Sequence, residues 1–297
     1  MTEATLDADA VFSDQWLTLR ESADHLARDA QLTHAVDRWL SQRATPAQPL
    51  SAARTIVDLG CGSGSNVRFL APRLHGSQHW RLVDHDASLL AHARLRCEHL
   101  KSLDGQAVHL ETRTASLDTA WSRDLEGADL VTASALFDLL APQDVEALAD
   151  ACARYRCAAL FALSVDGHIR FHDASGAALA SDDDRFAFTA LAAHQRRDKG
   201  AGPAMGSEAP RLLREIFHRH GFNLREASTP WRLGQESLPL VESLMAGWRR
   251  ALEEQVPAQR NRIAHWHGQR LEAMLQGQLS LTLGHRDLLA IPREPQP

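Results

Sequence analysis

Glycine and acidic residues gather around position 60 in a pattern that could bind a ligand. The run DLGCGSG, residues 58–64, follows the apolar stretch 55–57. Glycine is needed where the backbone turns tightly and where a ligand approaches it closely. A dinucleotide fingerprint, G-x-G-x-x-G, would need glycine at position 65, where this chain has Ser65. The spacing therefore disfavours nicotinamide binding, and a glycine turn that serves only strand–helix packing is the simpler alternative.

A second acidic residue strengthens the ligand-binding interpretation. Asp84 closes the run 80–84 and lies 20 residues after Gly64. At the end of a strand, a carboxylate can accept hydrogen bonds from both hydroxyls of a ribose. Together the two features resemble class I S-adenosylmethionine-dependent methyltransferases. That family's first motif reads [D/E]-x-G-x-G-x-G, which residues 58–64 match in full, and its second motif is an acidic residue that ends strand two, which Asp84 fits.

The resemblance implies a Rossmann-like fold and S-adenosylmethionine as the cofactor. It implies cofactor contacts from the glycine loop, from the ends of strands two and four, and from the segment after strand three, where the family's usual acidic residue is missing. No metal is implied. The predicted cofactor-binding residues are Asp58, Gly60, Cys61, Gly62, Gly64, Asn66, Asp84, His85, Ser116, Leu117, Ala133 and Ser134.

The elements that must position these residues follow from hydrophobic periodicity. Short apolar runs alternate with helical patterns over residues 54–165, which is typical of a parallel sheet covered on both faces. Residues 11–43 are predicted to be helical. Two helical patterns, 238–255 and 258–276, precede a last apolar run, 279–291.

We therefore predict an α/β, Rossmann-like class I methyltransferase fold. It has a mostly parallel seven-stranded sheet with helices on both faces, N-terminal helices, and a helical insertion before the last strand. Two further features are predicted: a polar hairpin at 166–173, and a break in the last strand at the polar run GHRD, 284–287.

The length of 297 residues allows one large domain or two ordinary ones, and the strand pattern favours one. A sheet of about seven strands accounts for most of the chain, so the added helices need not fold alone. The predicted parts are an N-terminal helical lid (1–50), a core (51–235), a helical insertion (236–276), and the last strand with its tail (277–297).

Residues that act on the methyl acceptor should follow the carboxyl ends of the strands. Methyl transfer depends mainly on alignment, and a hydroxyl or protonated amine also needs a base. We predict Asp138 and His194 as catalytic residues, and Phe137, Gln195 and Lys199 as substrate contacts. The alternatives are an acidic residue favoured by a helix N-terminus for Asp138 and an ordinary polar helix end for residues 194–199.

One stripe of the N-terminal helix has two interpretations. Arg20, Asp24 and Arg28 recur at intervals of four residues and so share a helical face. They could form a chain of exposed ion pairs. They could also belong to a helical lid over the cofactor, since N-terminal extensions often take that place in the family that the chain resembles.

Composition excludes other classes. Acidic residues outnumber basic ones, 38 to 32, for a net charge of −6, which disfavours a nucleic-acid partner. No apolar stretch approaches the ~20 residues of a membrane span, and no signal-peptide pattern is present. The four cysteines lack metal-ligand spacing, so we expect a cytoplasmic protein.

The predicted function is methyl transfer from S-adenosylmethionine to a small or medium-sized, polar metabolite by in-line displacement. Two alternatives remain open: an RNA or protein methyltransferase on the same fold, and a non-catalytic relative that binds S-adenosylmethionine.

Overall fold

The computed structural model describes residues 13–43, 53–116, 121–197 and 203–294. Within these ranges nine strands form one sheet. The strands are β1 (Arg54–Leu59), β2 (Gln78–Asp84), β3 (Val108–Thr114), β4 (Leu130–Ser134), β5 (Ala158–Asp173), β6 (Ala178–Leu179), β7 (Phe222–Ser228), β8 (Trp231–Leu233) and β9 (Leu279–Pro292).

Helices cover both faces and one end of the sheet. They are α1 (Asp14–Ala27), α2 (Ala30–Gln42), α3 (Ser65–Leu70), α4 (Ala87–Cys97), α5 (Trp121–Asp124), α6 (Pro142–Tyr155), α7 (Asp182–Gln195), α8 (Ala209–Arg219), α9 (Leu238–Gln255) and α10 (Arg260–Leu275). None of the helices in the described ranges is long and apolar enough to cross a membrane.

The main path of the sheet has seven strands in the order β3-β2-β1-β4-β5-β9-β7. The first five pair in parallel, and β9 runs antiparallel between β5 and β7. The short strands β6 and β8 pair with β5 and β9. This topology confirms the predicted fold class, with α9 and α10 inserted before the last strand.

Three hydrophobic clusters explain how the elements pack. One lies between the sheet and α6 with α8, and a second lies on the opposite face under α2, α3 and α4. The third joins α7, α9 and α10 to β8 and β9, and α1 packs against it through Trp16 and Leu19. The helical insertion therefore shares its core with α7 and with one end of the sheet.

The N-terminal helical region is two helices rather than one. The chain leaves helical geometry at Arg28, where φ is −58° and ψ is 140°. Asp29 then caps α2, because its Oδ1 accepts a hydrogen bond from the backbone N–H of Leu32 at 2.7 Å. The break turns the chain so that α1 and α2 cover different parts of the molecule.

The predicted break in the last strand is wrong. β9 runs through residues 284–287 without interruption, and the irregularities lie in its partner β5, between Phe161 and Ser164 and between Val165 and Ile169. His285 and Asp287 of this run are buried within the strand, whereas Arg286 is exposed. The polar segment 166–173 is likewise not a separate hairpin: β5 continues to Asp173, and the turn to β6 follows it.

Candidate active site

The glycine loop turns between β1 and α3 at positions that require glycine. Gly62 has a φ of 51° and Gly64 a φ of 83°, in the left-handed region that other residues rarely adopt. A Cβ on Gly64 would also lie 2.9 Å from the Cys97 Sγ of α4, and one on Gly62 would lie 2.9 Å from Leu17 Cδ1 of α1. The two glycines therefore let α1 and α4 pack closely against the loop, and α1 lies directly over it.

Asp84, at the end of β2, is fixed against this loop. Its Oδ2 accepts a hydrogen bond from the Gly62 backbone N–H at 2.8 Å, and its Oδ1 accepts one from the Asp86 N–H at 3.0 Å. The residue is buried, whereas the neighbouring His85, 3.3 Å away, is mostly exposed. The parallel pairing of β1 with β2 brings the two predicted motifs together.

Asp58, below the loop, is the least satisfied carboxylate of the site. It has no exposed surface, and its Oδ1 accepts a hydrogen bond from Asn66 Nδ2 at 2.7 Å. Its Oδ2 has no hydrogen-bond partner among the described residues. Burial raises the pKa of Asp58 to about 7. The same Asn66 nitrogen is 3.1 Å from the Thr132 Oγ1 of β4, which ties the loop to the middle of the sheet.

A buried arginine lies beside this group. Arg28 sits at the junction of α1 and α2, and its Nη1 donates a hydrogen bond to Asn66 Oδ1 at 2.7 Å. Its Nε is 3.5 Å from Asp287 Oδ2 on β9. Asp287 in turn accepts hydrogen bonds from the Leu163 N–H and the Thr229 hydroxyl. Burial lowers the pKa of Arg28 and raises that of Asp287.

The rest of the helical stripe on α1 also faces inward. Arg20 donates to both oxygens of Asp24, at 2.8 and 3.1 Å. Asp24 is buried and accepts a third hydrogen bond from Trp231 Nε1 of β8 at 3.1 Å. The interpretation as exposed ion pairs is therefore wrong, because this face of α1 packs on the end of the sheet.

Polar contacts on other faces of α1 hold it over the glycine loop. His25 Nε2 is 3.1 Å from the Ser65 hydroxyl, at the start of α3. Glu21 pairs with Arg68 of α3, and Asp14 pairs with Arg96 of α4. The helix thus covers the loop, as a lid would.

Unsatisfied and strained residues lie at the carboxyl end of β4 and beside it within β5. Ala135, just after β4, has a φ of 53°, and Leu163 in β5 has a φ of 55°. The Ser164 hydroxyl is buried and lacks a hydrogen-bond partner within the described segments. Such backbone strain concentrates at functional sites. Ligands of open α/β sheets bind at this same edge.

His285 of β9 lies near this edge. Its ring is buried against Trp231, with 5.0 Å between ring centres. Its Nδ1 has no hydrogen-bond partner in the described part of the chain. Burial lowers the pKa of His285 to about 3, so the ring is neutral at physiological pH.

Some of the predicted cofactor-binding residues lie together around one strand end, and others do not. Asp58, the loop glycines, Asn66 and Asp84 come together around the end of β1. Cys61 is buried within the loop, and Ala133 and Ser134 end the neighbouring β4. Ser116 is exposed after β3, and Leu117 lies outside the described residues.

The predicted catalytic residues lie in different surroundings. Asp138 is part of a 3-10 turn, Phe137–Leu139, directly after β4, and is partly exposed. His194 lies in the last turn of α7, where its Nε2 is 3.1 Å from Glu254 Oε2 of α9. Within the described residues no hydrogen bond joins Asp138 to His194, so their catalytic roles stay predictions.

The predicted substrate contacts also lie in different surroundings. Phe137 has no exposed surface and packs against Phe161, with 4.3 Å between ring centres. In this conformation its contacts support a packing role. Gln195 is partly exposed at the end of α7, and Lys199 lies outside the described residues.

Sequence reasoning did not select Asp287, His285 or Ser164. For Asp287 and His285 the signal was the polar run at 284–287 inside an apolar strand pattern, which we interpreted as a break. Sequence reasoning also did not predict that Arg28, on the helical stripe of α1, is buried, because its burial depends on elements that are distant in the chain.

A match to a known family decides the identity of the central region. Residues 56–158, from β1 to the start of β5, match the model of a family described as a methyltransferase domain. This region is a class I methyltransferase domain. The chain therefore carries a methyltransferase domain, and S-adenosylmethionine is the cofactor that its glycine-loop motif leads us to expect. No curated protein sequence matches the chain.

Solved structures of similar shape have low sequence identity to the chain. A cyclopropane synthase from Mycobacterium tuberculosis is 15% identical, with 97% of this chain and 96% of that chain covered and a TM-score of 0.46. A methyltransferase from Geobacter sulfurreducens, in complex with S-adenosylhomocysteine, is 17% identical, with 95% and 99% covered and a TM-score of 0.44. Scores of this size carry no argument about the acceptor.

The residues around the glycine loop fit the cofactor of the methyltransferase domain. The positive φ values of the loop glycines allow the tight turn at the end of β1. Asp84 presents a buried carboxylate, which suits ribose hydroxyls. Asp58 Oδ2 is a buried acceptor without a partner in the described ranges, which suits an ammonium group.

Proposed function

We propose that the protein transfers a methyl group from S-adenosylmethionine to a small or medium-sized polar metabolite by in-line displacement. The observation that carries this proposal is the enclosure of the sheet's carboxyl edge. Leu17 of α1 lies over Gly62, and the Asp24–Trp231 hydrogen bond joins α1 to β8. The third hydrophobic cluster continues this cover into α9 and α10. A folded macromolecular acceptor would need a more open face.

The added segments have matching proposed roles within a single domain. The N-terminal segment 1–50 acts as a lid over the loop, and the described helices α1 and α2 provide the support for this. The insertion 236–276 shapes the acceptor side. Residues 51–235 and 277–297 complete the sheet.

When bound, the cofactor supplies an electrophilic methyl group. The protein's own contribution is alignment and exclusion of water. Asp84, held by two backbone N–H groups, is placed to orient the ribose, and α1 keeps solvent from the loop. Because these positions are fixed before a ligand binds, little reorganisation is needed in the reaction.

Removal of a proton from the acceptor would fall to a residue near the end of β4. Asp138 follows that strand directly and is therefore the better placed of the two predicted bases. His285 has a different role in this proposal. Its neutral ring, with a pKa of about 3, retains a proton poorly but can accept a hydrogen bond at Nδ1 and orient the acceptor.

The alternatives make different predictions. An RNA acceptor would require a basic surface, which the net charge of −6 disfavours. A non-catalytic relative would bind the cofactor and transfer no methyl group.

The test combines binding with labelling. Calorimetry should show that S-adenosylhomocysteine binds the wild-type protein, and that Asp84→Ala binds it at least about tenfold more weakly, since a charge-assisted hydrogen bond is lost. Labelled S-adenosylmethionine is then incubated with a cell extract divided into a small-molecule filtrate and a macromolecular fraction. The label should appear in the filtrate only, and Asp84→Ala should reduce it. Label in the macromolecular fraction would favour an RNA or protein acceptor.

A further inference from the structure

Two buried charged groups next to the glycine loop retain hydrogen-bonding capacity. The Arg28 side chain is 2% exposed, and its Nε and Nη2 have no hydrogen-bond partner among the residues that the structure describes. Asp58 Oδ2 has none there either. The amide of Asn66 connects the two, because it accepts from Arg28 Nη1 and donates to Asp58 Oδ1.

Another arginine of α1, with a side chain 12% exposed, is better satisfied. Arg20, on the same stripe of α1, directs both Nε and Nη2 to Asp24. An unpaired buried donor or acceptor is destabilising, and few persist in native proteins without a reason. One reason is a ligand that supplies the missing partners.

The chemistry of that ligand follows from the signs of the two groups. A guanidinium with free N–H groups prefers an anion, and most of all a carboxylate. A carboxylate with a free oxygen prefers a cation. A ligand that carries a carboxylate and an ammonium a few bonds apart, the end of an α-amino acid, would satisfy both.

We infer that Arg28 binds the carboxylate at the amino-acid end of the cofactor, next to Asp58, which the glycine-loop motif already assigns to the cofactor. The inference rests on S-adenosylmethionine as the cofactor. Arg28 lies outside the matched segment 56–158, so its assignment comes from this structure. The competing explanation is that Arg28 only anchors the α1–α2 junction to Asp287.

Two ligands that differ in one part separate these explanations. S-adenosylhomocysteine carries the amino-acid end, and 5′-methylthioadenosine has the same nucleoside thioether without it. By calorimetry, Arg28→Gln should weaken S-adenosylhomocysteine binding roughly 10- to 100-fold, as expected for the loss of a charged hydrogen bond, and leave 5′-methylthioadenosine binding unchanged. Arg28→Lys should recover part of the loss. Arg20→Gln, the matched control, should leave the ratio of the two affinities as in the wild type.

The opposing outcomes are distinct. If Arg28→Gln weakens both ligands equally, or neither, the subsite is wrong while the cofactor assignment stands. If the wild-type protein binds no S-adenosylhomocysteine, the cofactor assignment itself fails. Should circular dichroism show that Arg28→Gln is unfolded, Arg28→Lys replaces it, because lysine keeps the charge and loses the planar fork of N–H groups. A selective loss of S-adenosylhomocysteine binding is expected, and an unchanged ratio would overturn the inference.

Discussion

Two buried aspartates in different regions of the molecule have pKa values that are shifted in opposite directions. Asp184, in the first turn of α7 below the helical insertion, accepts hydrogen bonds from Arg270, Trp266 and Ser181. Burial raises its pKa, but these hydrogen bonds outweigh burial and bring the pKa down to about 2. For Asp58, burial prevails and raises the pKa to about 7.

The difference separates a stabilising contact from a binding site. At Asp184 the capacity to accept hydrogen bonds is used within the protein, so the carboxylate fastens α10 to α7. At Asp58 one oxygen is kept without a partner in the described chain, although burying it destabilises the fold. Such unused capacity is expected where a ligand must supply the partner.

The largest expected effect is on the Asp184 side of this comparison. Asp184→Asn should lower the free energy of unfolding by about 3 kcal/mol, because it removes a buried carboxylate and leaves the Arg270 guanidinium, which is 18% exposed, without its counter-charge. Urea denaturation measures this. The wild-type contribution should be complete above pH 4 and lost as the pH falls toward 2, since the folded pKa lies below the unfolded value of 3.8.

A neighbour on the same helix provides the control. Asp183 pairs with Arg262 at the surface, with more than a third of each side chain exposed. Asp183→Asn should therefore change the free energy of unfolding by less than about 0.5 kcal/mol. Equal losses in the two variants would remove the distinction that we draw for Asp184.

A smaller effect of opposite sign is expected at Asp58. Its folded pKa, about 7, lies above the unfolded value of 3.8, so the folded state holds an extra proton between these values and stability falls as the pH rises from about 4 to 7. Asp58→Asn imitates the protonated form. It should raise the free energy of unfolding at pH 8 by roughly 2 kcal/mol and remove the pH dependence. Urea titrations at pH 5 and pH 8 measure both effects, and a destabilised variant at pH 8 would show that Asp58 already has its partners within the fold.

Local patterns were sufficient to predict the glycine-loop region. The motif at 58–64 fixes a turn between a strand and a helix, and Asp84 ends the next strand. These signals arise from neighbours in the chain, such as positive φ values and short apolar runs. For the same reason α9 begins and ends where the periodicity places it.

The cover of the site could not be predicted in this way. Asp287 is held by residues as distant in sequence as Asp29 and Leu163. A period of two cannot reveal such partners, so polar residues inside β9 resembled a turn. The burial of Arg20 and Asp24 likewise depends on Trp231. The break between α1 and α2 had a local signal, since Asp29 precedes a helical pattern and can cap it.

The smallest effect concerns strain at the edge of the sheet. Ala135 and Arg156 both have positive φ values, 53° and 52°, but Ala135 follows β4 at the candidate site, whereas Arg156 only ends α6. Glycine relieves such strain, which stabilises the folded state, and it increases the conformational entropy of the unfolded chain, which destabilises the folded state. We expect the relief of strain to prevail, so that Ala135→Gly and Arg156→Gly each raise the free energy of unfolding by about 0.5 kcal/mol. Denaturation measures this.

Hydrogen exchange then asks whether the strain at Ala135 has a positioning role. If the strained backbone holds the turn that carries Asp138, relaxing it should speed amide exchange across residues 136–140 in Ala135→Gly, and Arg156→Gly should leave that segment unchanged. Equal exchange in the two variants would mean that the strain after β4 is an incidental result of packing. A selective increase would place this turn, like Asp58, among the features that the fold retains at a cost in stability.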